Sequence, residues 1–178
     1  MLWAYNIVMK EHKIIEKIKE KFCLSDIEVK LNLVVHKHKN GEIIVGLTLD
    51  NHQQDKCFYL FSVKPNEEHN SNENFELKPI AHIKFIPSKN SIFIRKLEYI
   101  NWTYKGKGYA SQMIKCFEQY CKNNNYAEII GELIPLYDEP LEKVENYYKR
   151  NGFEIKEDTN SSQKLIRKTL EQTEENIF

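Results

Sequence analysis

A glycine- and lysine-rich segment in the second half of the chain has the residue types of a phosphate-binding turn. It reads Lys105-Gly106-Lys107-Gly108-Tyr109-Ala110 and lies between a predicted strand, residues 91–100, and a predicted helix, residues 109–123. Glycine has no Cβ, so the backbone can turn tightly there and let a ligand approach. The first N–H groups of a helix have no acceptor inside the helix and carry the positive end of its dipole. The segment therefore predicts a pyrophosphate site, to which the two lysines add charge.

Two common nucleotide-binding motifs do not fit this segment. A P-loop ends in Gly-Lys-Ser/Thr, whereas Gly108 is followed by Tyr109. The dinucleotide-binding motif needs a third glycine in the first strand–helix–strand unit, whereas this turn lies past the middle of the chain. An ordinary strand-to-helix turn, with lysines that serve solubility, stays open as the alternative.

A second motif, Tyr147-Tyr148-Lys149-Arg150-Asn151-Gly152-Phe153, follows about forty residues later. The first segment resembles motif A of the GNAT superfamily of acyl-CoA N-acyltransferases, Gln/Arg-x-x-Gly-x-Gly/Ala, with lysine at the Gln/Arg position. The second resembles the end of motif B, Tyr-x-x-x-Gly-Phe, with Tyr148 on its tyrosine. The resemblance covers residues 79–170. It implies an α/β protein with a GNAT-like fold, in which helices flank a central, mostly antiparallel mixed sheet.

The function that the resemblance implies is N-acetyl transfer. An acetyl group would pass from acetyl-CoA, the cosubstrate, to a primary amine of a small molecule or protein by direct attack in a ternary complex. No metal is expected. The alternative is a catalytically weak GNAT-fold module that binds acyl-CoA or acts as a sensor.

The resemblance also assigns coenzyme-binding residues. Backbone groups at the end of the strand before the turn are expected to contact the pantetheine arm and thioester, and backbone N–H groups of the turn are expected to hold the pyrophosphate. The residues concerned are Leu97, Tyr99, Ile100, Lys105, Gly106, Lys107, Gly108, Tyr109 and Ala110.

Tyr148 is the expected general acid, because a phenol with a pKa near 10 is protonated at neutral pH and can supply a proton to a departing thiolate. Its neighbour Tyr147 is expected to pack. Relatives often carry Asn and Ala seven and four residues before this tyrosine, where this chain has Leu141 and Val144. Fewer coenzyme contacts from this helix are therefore expected.

The general base is less clearly indicated. Glu98, on the strand next to the expected thioester site, is the first candidate, and an ion-paired surface carboxylate is its alternative. Glu132 and His82 are further candidates. Asp138 and Glu139, before the last helix, are either solvated or positioned to attract a cationic substrate.

These residues require a framework, and hydrophobic periodicity supplies one. Apolar residues recur every three or four positions in the predicted helices and alternate in most of the predicted strands. An antiparallel first half joined to a strand–helix–strand second half predicts a mixed sheet. The predicted helices are residues 11–22, 109–123 and 141–150. The predicted strands are residues 27–35, 42–49, 57–63, 79–86, 91–100, 127–134, 153–156 and 164–170, with a surface loop at 65–76.

Bulk composition narrows the class of protein. The 178 residues suit one domain, residues 1–178, in which 1–78 would shape the acceptor site and 79–170 would bind acyl-CoA. Lys plus Arg and Asp plus Glu each number 26, so the net charge is zero, which argues against a nucleic-acid partner. A monomer or homodimer is expected. His36 and His38 share one strand face, but no third metal ligand accompanies them.

The four cysteines, Cys23, Cys57, Cys116 and Cys121, form no CxxC pair and are expected to be thiols in a reducing compartment. No apolar run approaches the ~20 residues of a membrane span. Residues 1–8 are apolar but lack the basic lead of a signal peptide. The sequence therefore predicts a cytoplasmic location without a membrane partner.

Overall fold

The computed structural model describes residues 16, 20, 34–37, 43–49, 56–65, 75–100, 102–135, 139–157 and 163–171. From residue 75 onward, its strands and α-helices follow the order predicted from the second half of the sequence. The strands are β1 (Val34–Lys37), β2 (Ile43–Leu49), β3 (Lys56–Pro65), β4 (Phe75–Pro87), β5 (Ser91–Tyr99), β6 (Glu128–Glu132), β7 (Glu154–Glu157) and β8 (Lys164–Thr169). The α-helices are α1 (Tyr109–Asn123) and α2 (Leu141–Arg150), and a 3-10 turn spans Trp102–Tyr104.

The eight described strands form one sheet in the order β1-β2-β3-β4-β5-β6-β8-β7. Neighbouring strands are antiparallel except for β5 and β6, which are parallel because α1 crosses between them. The predicted fold class, a mostly antiparallel mixed sheet flanked by helices, is confirmed. The single parallel pair among the described strands marks the point where the antiparallel first half meets the strand–helix–strand second half.

One face of the sheet packs against α1. The buried side of this helix carries Met113, Ile114, Phe117 and other apolar residues at three- and four-residue spacing. The Phe117 ring lies 5.2 Å from that of Phe85 on β4 and 5.4 Å from that of Phe58 on β3, both edge-on. Such edge-to-face contacts add to the free energy gained by burying the rings. This aromatic contact fixes α1, and with it the turn that precedes it, against the middle of the sheet.

The helix ends agree with the sequence. The chain leaves α1 through Asn124 and Asn125, and Asn125 takes a positive φ of 60°. It leaves α2 through Asn151 and Gly152, whose φ is 81°, the left-handed conformation that favours glycine at this position.

Strand β4 begins earlier than predicted. The sequence predicted a start at Pro79, whereas the strand begins at Phe75. The register with β3 shifts between Leu60 and Phe61, and Pro79 is paired at this bulge. A bulge is one of the few places in a sheet that tolerate proline. The strand therefore continues through Pro79, and the predicted start of β4 was wrong.

Several sequence-based expectations fall outside the described residues. Of the predicted helix 11–22, only Glu16 and Glu20 are described, and both are helical. Cys23, His38 and residues 1–8 lie outside the described residues. So does the surface loop expected at 65–76, except for its two ends, which belong to β3 and β4. Cys116 and Cys121 are buried thiols on α1, and Cys57 is a half-buried thiol on β3.

Candidate functional site

Strands β5 and β6 separate partway along their length. Their parallel register runs from Ser91 opposite Glu128 to Ile94 opposite Gly131, while β5 continues to Tyr99 without a β6 partner. On its other edge, β5 is bulged at Arg95, because Ile94 lies opposite Phe85 and Lys96 lies opposite Lys84. A bulge bends its strand and changes the direction of the side chains that follow. The second half of β5 therefore diverges from β6.

A cleft of about 500 Å³ occupies the space beside this divergence. It lies among β5, β6, the glycine turn and α2. A cavity of this volume is within the range of small-molecule sites. Of the charged residues that border it in the described part of the chain, five are basic (Arg95, Lys96, Lys105, Lys143 and Arg150) and two are acidic (Glu132 and Glu139), although the Lys96 ammonium group is paired with Glu98. The balance favours an anionic ligand.

The glycine turn borders the cleft at the start of α1. Gly106 has φ 77° and Gly108 has φ 89°, so both adopt the left-handed conformation that other residues adopt at a cost. A Cβ at Gly106 would meet nothing within 4 Å. Glycine is therefore required there by backbone conformation and not by lack of space, and the side of the turn at Gly106 is open to an incoming group.

Several N–H groups of the turn already have acceptors. The Lys105 N–H donates to the Trp102 carbonyl at 3.0 Å, and the Lys107 N–H donates to the Tyr104 carbonyl at 3.3 Å. The Ala110 N–H donates to the Tyr99 hydroxyl. Within the part of the chain that is described, the N–H groups of Gly106, Gly108 and Ser111, all three on the cleft wall, donate to no acceptor. These three are the donors available to an anion.

Glu139 joins the glycine turn to the residues before α2. Its carboxylate lies 2.7 Å from the Lys105 Nζ and 3.3 Å from the Lys143 Nζ. The hydrogen bond from Lys105 is the main reason that the pKa of Glu139 is lowered. Glu139 was expected either to be solvated or to attract a cationic substrate; it is instead paired with two lysines of the cleft. Asp138 lies outside the described residues.

Tyr148 lies on the cleft wall, where the second motif was expected to contribute. Its side chain is 8% exposed, and its ring packs edge-on against Phe153 at 5.4 Å. Burial raises the pKa of Tyr148 to about 12, so the phenol is protonated at neutral pH and can act as a proton donor. Val144, one helical turn earlier, also lines the cleft.

Glu98 does not belong to the cleft wall. Its neighbour Leu97 is buried in the core that packs against α1, so Glu98 points to the other face of the sheet. There its carboxylate lies 2.6 Å from Lys96 Nζ and 3.5 Å from Nε2 of His82, the residue paired with it across β4 and β5. Burial lowers the pKa of His82, although the Glu98 charge opposes this shift. The two candidate bases are therefore adjacent.

The predicted site residues divide into two groups. Those that line the cleft are Leu97, Tyr99, Lys105, Gly106, Gly108, Ala110, Glu132 and Tyr148. Those that do not are Ile100, Lys107, Tyr109 and Glu98. Ile100 and Lys107 are exposed, whereas the Tyr109 side chain is buried against Tyr104.

The lining residues that the sequence did not indicate include Arg95, Ser111 and Tyr147. Arg95 reaches the cleft because of the bulge, which has no sequence signal of its own. Ser111 is the third residue of α1, and its position could have been derived from the helix start. Tyr147 was expected only to pack.

Two general features bear on this region. Among the described residues, no group of three His, Cys, Asp or Glu side chains is placed to hold a metal ion. In the same part of the chain, neither α-helix has the length and apolar character of a membrane span.

Comparison with known proteins gives matches in structure alone. No protein-family profile and no curated protein sequence matches the chain. Solved structures that it resembles include a GNAT-family acetyltransferase from Staphylococcus aureus (13% identity, 67% of this chain and 71% of that chain, TM-score 0.47). They also include the PaiA N-acetyltransferase of Thermoplasma acidophilum in complex with coenzyme A (15%, 66% and 62%, 0.46) and GCN5 of Tetrahymena (14%, 67% and 71%, 0.46). These are similarities of chain path at low sequence identity.

Proposed function

We propose that this chain binds acetyl-CoA in the cleft between β5 and β6 and transfers the acetyl group to a primary amine of a small molecule or protein. The observation that carries the proposal is the position of the cleft. It opens where the only parallel strand pair among the described strands separates, and the available N–H groups of the glycine turn line it.

The anionic part of the coenzyme fits the turn. The N–H groups of Gly106, Gly108 and Ser111 offer donors at the positive end of the α1 dipole, and Lys105 lies beside them. An extended pantetheine arm would run along the part of β5 that has no β6 partner, near Leu97 and Tyr99. Backbone groups left unpaired by strand separation are suited to the amide groups of such an arm.

In the proposed reaction the amine nitrogen forms a bond to the thioester carbon, and the carbon–sulfur bond breaks. The ammonium nitrogen loses one proton before attack and another as the amide forms, and the departing sulfur takes one up. Tyr148 is the proposed donor to the sulfur, and the later proton from nitrogen restores its phenol. Glu98 is the proposed acceptor of the first, through water, because its carboxylate lies on the face of the sheet that it shares with His82 and not on the cleft wall. Positioning of the two reactants supplies much of the rate gain in such transfers.

Isothermal titration with coenzyme A and with acetyl-CoA tests the binding step. We expect a dissociation constant in the micromolar range, and a rise in melting temperature when either ligand is present in excess. Failure of both ligands to bind would remove every acyl-CoA function. Release of the coenzyme A thiol across a panel of polyamines, aminoglycosides and lysine peptides then tests the transfer step.

The alternative function is an acyl-CoA-binding or sensor module with weak catalysis. It is favoured by one observation: the Glu98 carboxylate is paired with Lys96 and does not line the cleft. Binding of acetyl-CoA without thiol release for any amine in the panel would favour this module over the enzyme.

We also propose that residues 1–178 form one domain in the cytoplasm, with residues 1–78 contributing to the acceptor side. A limited-proteolysis experiment checks the domain organisation. One protected fragment spanning both parts would support it, and separate protected fragments on either side of residue 78 would contradict it.

A further inference from the structure

Tyr147 carries a buried hydroxyl group that has no hydrogen-bond partner among the described residues. It precedes Tyr148 on α2, and the two rings lie 5.1 Å apart at an angle of 69°. Both tyrosines line the cleft. Buried hydroxyl groups in proteins are nearly always hydrogen-bonded, because losing water without gaining a partner costs free energy. The buried hydroxyl of Tyr147 therefore lacks an acceptor although the residue borders the cleft, and a ligand in the cleft can supply one.

The surroundings of Tyr147 leave its hydroxyl as a donor. Burial and the nearby Tyr148, Tyr99 and Glu118 raise its pKa well above the usual value, so the phenol keeps its proton. The Glu118 carboxylate is already paired with Lys168 on β8. Tyr99, for its part, uses its hydroxyl oxygen to accept the Ala110 N–H. Among the described residues, neither the helices nor the sheet therefore offer an acceptor for the Tyr147 hydroxyl proton.

We propose that the Tyr147 hydroxyl donates a hydrogen bond to an amide carbonyl of the pantetheine arm, and so positions the coenzyme in the cleft. The inference rests on the proposed function, because it needs an acyl-CoA ligand there. It gives the adjacent tyrosines different tasks: Tyr147 holds the arm, whereas Tyr148 serves the leaving sulfur. A tyrosine that only packed would gain nothing from its hydroxyl, since phenylalanine fills the same space without a polar group to bury.

The test compares Tyr147→Phe with the wild-type chain in two measurements. The melting temperature without ligand should be unchanged or higher, because the substitution removes an unpartnered polar group and no hydrogen bond. The dissociation constant for coenzyme A, from isothermal titration, should rise about threefold to tenfold, the usual effect of one lost hydrogen bond. A ligand contact predicts weaker coenzyme A binding with no fall in melting temperature, whereas a structural role predicts a fall in melting temperature.

Two controls locate the contact. Tyr120→Phe removes a hydroxyl from a buried tyrosine on α1 that does not line the cleft, and it should leave coenzyme A affinity unchanged. Adenosine 3′,5′-bisphosphate lacks the pantetheine arm, so its affinity should be the same for the wild type and for Tyr147→Phe.

Three results would overturn the inference. Equal coenzyme A affinity in the wild type and Tyr147→Phe would show that the hydroxyl makes no contact. A fall in the ligand-free melting temperature would show that it serves the fold. An equal loss of affinity for adenosine 3′,5′-bisphosphate would place the effect away from the arm. Failure of the wild type to bind coenzyme A is a different outcome, which removes the proposed function itself.

Discussion

The Lys105 ammonium group lies 2.7 Å from the Glu139 carboxylate, and both side chains line the cleft. The carboxylate thus takes one of the lysines that a bound pyrophosphate would use. Lys143 contacts the same carboxylate at 3.3 Å. An anionic ligand at the glycine turn must either displace Glu139 or bind beside a negative charge, and each costs binding free energy.

Replacing Glu139 should therefore tighten coenzyme binding. We expect Glu139→Gln to lower the coenzyme A dissociation constant about threefold to tenfold at low salt and less at high salt, since exposed charges are screened. The pKa of Glu139 is lowered, so its carboxylate is fully ionised at neutral pH. The effect of the substitution should therefore be the same from pH 6 to pH 8. Glu142→Gln, an exposed substitution in the first turn of α2, is the matched control and should change little. Weaker or unchanged binding by Glu139→Gln would show that the carboxylate does not compete with the ligand.

A side chain at Gly108 should prevent coenzyme binding. Gly108→Glu adds backbone strain at φ 89° and a negative charge at the start of α1, where the proposed pyrophosphate would bind. We expect a loss of affinity of about 100-fold or more by isothermal titration, with the fold checked by circular dichroism. Gly152→Ala is the control: it strains a glycine of similar φ (81°) outside the cleft wall, and should cost about 1 kcal/mol of stability without loss of affinity. Wild-type affinity in Gly108→Glu would place the site elsewhere.

Tyr148→Phe should separate catalysis from binding. The phenylalanine ring keeps the packing against Phe153, so coenzyme affinity should remain within about twofold, while loss of the proton donor should lower turnover about tenfold to 100-fold. The measurement is thiol release with the amine found in the panel, or with water if only slow hydrolysis occurs. Equal turnover in the variant would remove Tyr148 from the mechanism.

His82 should make the protein less stable at mildly acidic pH. Burial lowers the pKa of His82 below the 6.5 expected in the unfolded chain, so the unfolded state binds more protons as the pH falls through that range. Stability is therefore lost below about pH 6.5, by at most about 1.4 kcal/mol per pH unit for one proton. Glu98 opposes the shift, whereas Lys84 and Lys96 reinforce it. Urea unfolding at pH 7.5 and 5.5 should show a smaller loss for His82→Gln than for the wild type; equal losses would show that His82 is not the group responsible.

Local sequence determined the elements around the glycine turn with little help from the rest of the chain. The helix from Tyr109 to Asn123 was predicted with its observed bounds, because a glycine turn, a repeating apolar face and a run of asparagines act within a few residues of one another. The left-handed conformations of Gly106, Gly108 and Gly152 follow from the same local rules. The mixed sheet also followed from the sequence, because strands joined by a helix pair in parallel, whereas strands joined by a hairpin turn pair antiparallel.

Pairing between residues distant in the chain fixed the features that the sequence did not predict. The early start of β4 depends on a bulge opposite Leu60, and the cleft depends on where β5 and β6 stop pairing. The pairing of Glu139 with Lys105 joins residues 34 positions apart, and nothing near either one indicates the other. The sequence alone therefore identified the glycine turn before α1 and placed Tyr147 and Tyr148 together on α2. Only the tertiary structure decided that Glu98 points away from the cleft and that the Tyr147 hydroxyl is buried without a partner, because the direction of a side chain is fixed by packing between elements distant in the chain.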